Sequence, residues 1–144
     1  MSHVRVSLVI DRPIDEVFAF LSDMENNVKW RASQVDVLKT SPGSIRVGTT
    51  YRMVNRIFGR TMNATWSITR FEPDRAMGLS LRFGPIRGRF TYEFEPSGAG
   101  TLLTQSTDMG FAGPLGIFSP LIAAEAQREE DAELGRLKEL LERS

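Results

Sequence analysis

Of the side chains able to move a proton or hold a ligand, Glu130 stands out by its position. At 3.6 residues per turn it falls about 40° from Leu134, toward Leu137, within a helical stripe of leucine and alanine. A carboxyl group facing an apolar space can hold a ligand hydroxyl, or work as an acid or base with a raised pKa. The plainer readings are that Glu130 is wetted by a partly open cavity, or that an inward arginine pairs with it. Gln127 flanks the same stripe. The only histidine, His3, lies at the N-terminal end, where it is remote from any partner for triad or acid–base work. The chain has no cysteine, which excludes a disulfide framework, a thiolate metal site and a Cys nucleophile. Its carboxylates show no metal-ligand spacing, and its glycines form neither a phosphate loop nor a dinucleotide fingerprint. No metal and no cofactor are expected.

A second group of residues suits recognition better than reaction. Tyr51, Asn55, Trp66, Tyr92 and Gln105 carry polar tips, in segments where Met53, Met62, Leu79, Phe83 and Phe90 supply apolar bulk. An apolar wall with a few orienting polar groups describes a small-molecule pocket. Each residue taken singly could equally be a core side chain with a satisfied polar end. On the helix side, Ile122, Ala126, Gln127 and Glu130 face this wall. Small Ala123, Ala124 and Ala126 opposite a curved sheet either allow close approach or leave space.

The elements that must position these groups follow from periodicity. Val4, Val6, Leu8 and Ile10 alternate with more polar neighbours, as in a strand with one buried face. Pro13 suits the first helical position, and Ile14, Val17, Phe18 and Leu21 follow at helical spacing. A short second turn runs from Ser22-Asp23 to about Asn27, so this helix is split. Strands are expected near 34–40, 49–58, 61–72, 75–84, 87–96 and 100–110. They are divided by Pro42-Gly43, Gly59-Arg60, Pro73-Asp74, Gly84-Pro85 and Ser97-Gly98. Short spacing between them makes the sheet an antiparallel meander. Ser119-Pro120 then opens a helix that runs to about Glu142.

At 144 residues the chain fits one domain, 1–144, with 41% apolar and 25% charged residues. Basic and acidic residues balance overall, but nine arginines fall between positions 46 and 89 against only Glu72 and Asp74. Arg52, Arg56, Arg82, Arg87 and Arg89 alternate with the apolar face and should point outward. Such a face could meet RNA, the ribosome or anionic lipid headgroups. It could also be a solvated surface that discourages edge pairing. With a neutral total and no interleaved exposed aromatics, no nucleic-acid partner is expected. Met109 to Phe118 is apolar and glycine-rich, and reads either as a gate plugged by Phe111 or Phe118, or as a packed connector or homodimer contact. No stretch is long and unbroken enough to span a membrane. The N-terminal residues lack the apolar run of a signal peptide, so a cytoplasmic location is expected.

Several local sequences resemble landmarks of the START-like superfamily, often called SRPBCC. They are Ile10-Asp11-Arg12-Pro13-Ile14-Asp15-Glu16-Val17-Phe18, Leu21-Ser22-Asp23 with Trp30, Thr69-Arg70-Phe71-Glu72-Pro73, and Gly98-Ala99-Gly100-Thr101-Leu102-Leu103-Thr104. The likeness covers nearly the whole chain and is greatest to the polyketide cyclase/dehydrase and lipid-transport branch. It implies an α+β helix-grip fold, a curved seven-strand antiparallel sheet around a long C-terminal helix with a cavity between them. It implies a small hydrophobic ligand such as a lipid, isoprenoid or aromatic polyketide, held by a carrier or sensor. An enzyme of cyclase/dehydrase type is the alternative, and a ribosome- or RNA-associated protein using the arginine face is a second one. No cyclase-specific motif is matched, so no catalytic residue carries over, and fold alone does not decide among these functions.

Overall fold

Apolar residues at every second position build seven strands, each with one face turned inward. In the computed structural model these are β1 (Ser2–Ile10), β2 (Gln34–Lys39), β3 (Thr50–Ile57), β4 (Arg60–Glu72), β5 (Ala76–Phe83), β6 (Ile86–Ser97) and β7 (Gly100–Phe111). Helix α1 (Ile14–Ser22), a 3-10 turn at Met24–Lys29 and helix α2 (Pro120–Glu142) complete the order. The structure describes the backbone of residues 2–57, 59–83, 86–111 and 120–143, and the side chains of 4–56, 59–82, 87–108 and 128–143. The expected Gly84-Pro85 turn and the Ser119 cap lie outside the described residues.

All strand pairs are antiparallel, in the order β1-β7-β6-β5-β4-β3-β2. Consecutive hairpins therefore run from β2 to β7, and the first strand closes against the last. The expected helix-grip architecture is what the chain adopts. The turns fall where their chemistry requires: Gly43, Gly59, Gly98 and Asp74 all take positive φ. Pro13 sits one residue before the first turn of α1, and its carbonyl accepts from the Glu16 and Val17 amides at 3.1 and 3.2 Å. That one-residue offset from the expected first helical position leaves the role of its fixed φ unchanged.

One inner layer forms the core. Val4, Val6 and Ile10 of β1, Met53, Ile68, Met77, Leu79 and Leu103 of the sheet, and Leu134, Leu137 and Leu141 of α2 are all buried in it. Phe18 of α1 meets Phe94 and Phe71 at ring-centroid distances of 5.1 and 5.4 Å, closing one end of the layer. Polar contacts pin the C-terminal part of α2 to the end of β1. Lys138 donates to the Val9 carbonyl at 2.8 Å, Arg12 Nε to the Leu141 carbonyl at 2.9 Å, and the Asp11 amide to Glu142 at 2.7 Å.

Gly100 explains one of the sequence landmarks physically. A Cβ there would lie 2.6 Å from the Ile10 carbonyl oxygen and 3.3 Å from Asp11 Cα. The backbone of β7 thus approaches the end of β1 too closely for any side chain. Gly100→Ala is expected to cost about 1–3 kcal/mol through this overlap, read as a lowered Tm in thermal unfolding. An unchanged Tm would mean that β1 can shift away freely.

Candidate functional site

The site is built around a buried cation that follows the 3-10 turn. Trp30 and Arg31 end this turn and are both almost wholly buried. The Arg31 guanidinium lies 4.1 Å from the Trp30 ring centroid and 5.8 Å from that of Phe90. Its Nη1 donates to Glu133 Oε1 at 3.0 Å. Its Nη2 donates to the Tyr92 hydroxyl at 2.5 Å and to Gln105 Oε1 at 2.6 Å. Glu133 Oε2 accepts from the Ser33 hydroxyl at 3.0 Å and from its amide at 3.3 Å. One guanidinium therefore ties the 3-10 turn to β6, β7 and α2. Burial works against the Arg31 charge, but Tyr92 and Glu133 outweigh it and hold its pKa above the usual value.

Glu130 sits one helical turn before Glu133 and is also buried. Thr107 Oγ1 donates to its Oε1 at 2.9 Å, while its Oε2 has no partner among the described residues. Burial raises the Glu130 pKa above the ordinary carboxylate value. Thr107, Arg31 and Gln105 pull it back in part, and Glu133 pushes the other way. A proton carried by this carboxyl belongs on Oε2, since Oε1 already accepts from Thr107. Gln105 is oriented by giving its oxygen to Arg31, which leaves Nε2 a buried donor without a partner among the described residues. The buried Trp66 Nε1 is a further such donor, and the Trp66 ring meets Phe90 edge-on at 4.7 Å.

The sheet register accounts for this convergence. Tyr92 stands opposite Gln105, and Phe90 opposite both Thr107 and Leu79. Trp66 stands opposite Tyr51 and Leu81. Of the residues singled out in the sequence, Trp66, Leu79, Phe90, Tyr92, Gln105 and Glu130 are thus placed around or beside one polar cluster. Tyr51 and Met53 are buried farther along the same face. Asn55 and Met62 pair near the β3–β4 turn, where Asn55 is buried and Met62 half-buried. The side chains of Phe83, Phe111, Phe118, Ile122, Ala126 and Gln127 lie outside the described residues. Sequence reasoning missed Arg31, Ser33, Thr107 and Glu133. Glu133 had a detectable signal, because Glu133, Leu134 and Leu137 follow Glu130 on one helical face at spacings of three, four and seven.

Both tyrosines of the chain have buried rings. Burial pushes the Tyr51 phenol up to about 12, with Asp23 adding to the shift, and burial also raises Tyr92 against the pull of Arg31. Alkaline titration of the folded protein should therefore show almost no phenolate absorbance at pH 10, where an ordinary tyrosine is half ionised. A half-maximal signal there would mean that one of the two hydroxyls is wet.

The residues and their geometry can be set beside known proteins. A family model described as polyketide cyclase / dehydrase and lipid transport matches residues 1–142. The chain belongs to this family. No curated protein matches it. Among solved structures, a protein from Thermus thermophilus shares 19% identity over 95% of this chain and 94% of its own, with a TM-score of 0.80. A START superfamily protein from Mycobacterium smegmatis shares 14% over 99% and 95%, with a TM-score of 0.76. The di-domain ARO/CYC protein BexL shares 19% over 99% of this chain and 47% of its own, again with a TM-score of 0.76. At these identities the likeness is one of fold. The polyketide cyclase/dehydrase and lipid-transport family joins hydrophobic-ligand binders and cyclase-type proteins on this START-like scaffold. In this member, no helix of the described residues is long and apolar enough to cross a membrane, and none of their Asp and Glu side chains form a cluster of three that could hold a metal.

Proposed function

We propose that this protein is a cytoplasmic binder, a carrier or sensor, for a small apolar molecule bearing an oxygen at one end. The ligand lies between the concave sheet face and α2, with its apolar body against Trp66, Phe90 and Leu79. Its oxygen meets Glu130 Oε2 and Gln105 Nε2. The observation that carries this reading is that pair of buried polar atoms, whose side chains draw on one another but which make no hydrogen bond of full geometry among the described residues. An unsatisfied buried polar group costs about 1–3 kcal/mol, a cost that a ligand acceptor would offset. Apolar contact at roughly 25 cal/mol per Å² supplies the affinity, and the polar pair supplies the orientation.

Native mass spectrometry of the freshly purified protein, with solvent extraction of anything released, tests this directly. A defined apolar molecule at near-stoichiometric occupancy is expected. A bare polypeptide mass, unchanged by a panel of apolar alcohols, ketones and acids, would refute the reading.

One observation favours a second reading, an enzyme of cyclase/dehydrase type. Burial holds the Glu130 carboxyl toward its protonated form, as an acid catalyst requires. Glu130→Gln separates the two readings. It should abolish turnover without reducing ligand retention if Glu130 is a catalytic acid, and equal loss of both would count against catalysis.

A further inference from the structure

On the opposite side of the sheet, a groove of about 490 Å³ opens over β4, β5 and β6. Thr69, Ser80, Arg82, Arg87 and Arg89 line it. The register explains how they converge: Arg82 stands directly opposite Arg87, and Ser80 opposite Arg89. Thr69 joins them through the irregularity between Ile68 and Arg70, where two successive residues are exposed. Like charges directly opposite one another destabilise a strand pair. Asp108 on β7 stands opposite Arg89, so one carboxylate flanks a lining of three guanidinium groups. The groove therefore keeps an excess of positive charge beside two hydroxyls.

We propose that this groove binds a phosphorylated small molecule. Arg82 and Arg87 take phosphoryl oxygens from either side of the strand pair, and Arg89, Ser80 and Thr69 hold the remainder. Guanidinium forks match phosphate oxygens bidentately, and the register sets those of Arg82 and Arg87 side by side. No aromatic side chain among the described residues lines the groove. The site is independent of the apolar ligand, and either reading can fail without the other.

Calorimetric titration with inorganic pyrophosphate at low ionic strength tests the proposal. Wild type should bind near one equivalent, more weakly as salt is added. Arg82→Thr should weaken binding about tenfold or more. The same variant without anion should unfold cooperatively within about 4 °C of wild type, which certifies that it is folded. It should keep any apolar ligand that wild type keeps. Absence of pyrophosphate binding by wild type, or equal binding by Arg82→Thr, would overturn the proposal. So would retention on phosphatidylserine/phosphatidylcholine vesicles or a single-stranded RNA that pyrophosphate does not compete, since the face would then be a docking surface and not a small-molecule site.

Discussion

Replacing Arg31 with methionine is expected to remove about 3–5 kcal/mol of folding stability, the cost of breaking a buried ion pair from one side. Methionine approximates the aliphatic stem, so the loss comes from the groups left behind. Glu133 Oε1, the Tyr92 hydroxyl and Gln105 Oε1 all lose their buried donor at once. For a chain of this length the Tm should fall by roughly 6–20 °C. The informative comparison is Arg31→Met/Glu133→Leu, which removes both charges together. Its cost should be smaller than that of Arg31→Met alone, because no uncompensated carboxylate stays in the interior. A double variant as unstable as the sum of its singles would show that the charges are independent and well hydrated. Thermal and denaturant unfolding of the four proteins decides between these outcomes.

The second large effect is on pH. Burial raises the folded-state pKa of Glu130 above the ordinary 4.5. Below 4.5 both folded and unfolded chains carry this proton, and Glu130 does not oppose folding. As pH rises, the unfolded chain ionises first, so the contribution of Glu130 declines until its folded pKa is passed. The Glu130 contribution to stability, and retention of an oxygen-bearing ligand, should therefore decline together above 4.5. Glu130→Gln keeps an acceptor for Thr107 and an N–H donor in place of the Oε2 proton, but it cannot ionise. Its melting curve should lack this pH-dependent component, and its ligand retention should be flat across the same range. Glu130→Leu removes the donor entirely and should bind about tenfold more weakly at every pH. If Glu130→Gln keeps the full wild-type pH profile, another group controls it.

The fold was legible because its signals are periodic. Alternation along Tyr51-Met53-Asn55 and Met77-Leu79-Leu81 repeats over whole strands, and each break carries its own turn chemistry. The apolar part of the candidate site followed from the same alternation. So did Tyr92 and Gln105 of the polar part, but not Arg31 and Ser33, which lie in a short segment between the 3-10 turn and β2, where neither helical nor strand spacing applies. Glu130 was visible as a carboxyl on an apolar stripe, and an inward arginine beside it was an expected alternative. The structure supplies that arginine, but its direct ion pair goes to Glu133, and it reaches Glu130 only through its field. Which of two neighbouring carboxylates takes this buried cation depends on where a chain segment about a hundred residues away comes to rest. Spacing along one helix cannot show that.

The pairing of β1 with β7 also sets the timing of assembly. Each residue of the first strand finds its partner roughly a hundred residues later, and the helix that locks the strand's end comes later still. At about 5–20 residues per second on the ribosome, the apolar edge of β1 waits about 5–20 seconds for its neighbour. Arg31 waits too, since its carboxylate partner lies on α2, which follows all seven strands. The nascent chain can form the β2–β7 hairpins in sequence, but its first strand must be kept from other edges until β7 emerges. In this protein the residues of α2 complete a core that those of β1 began.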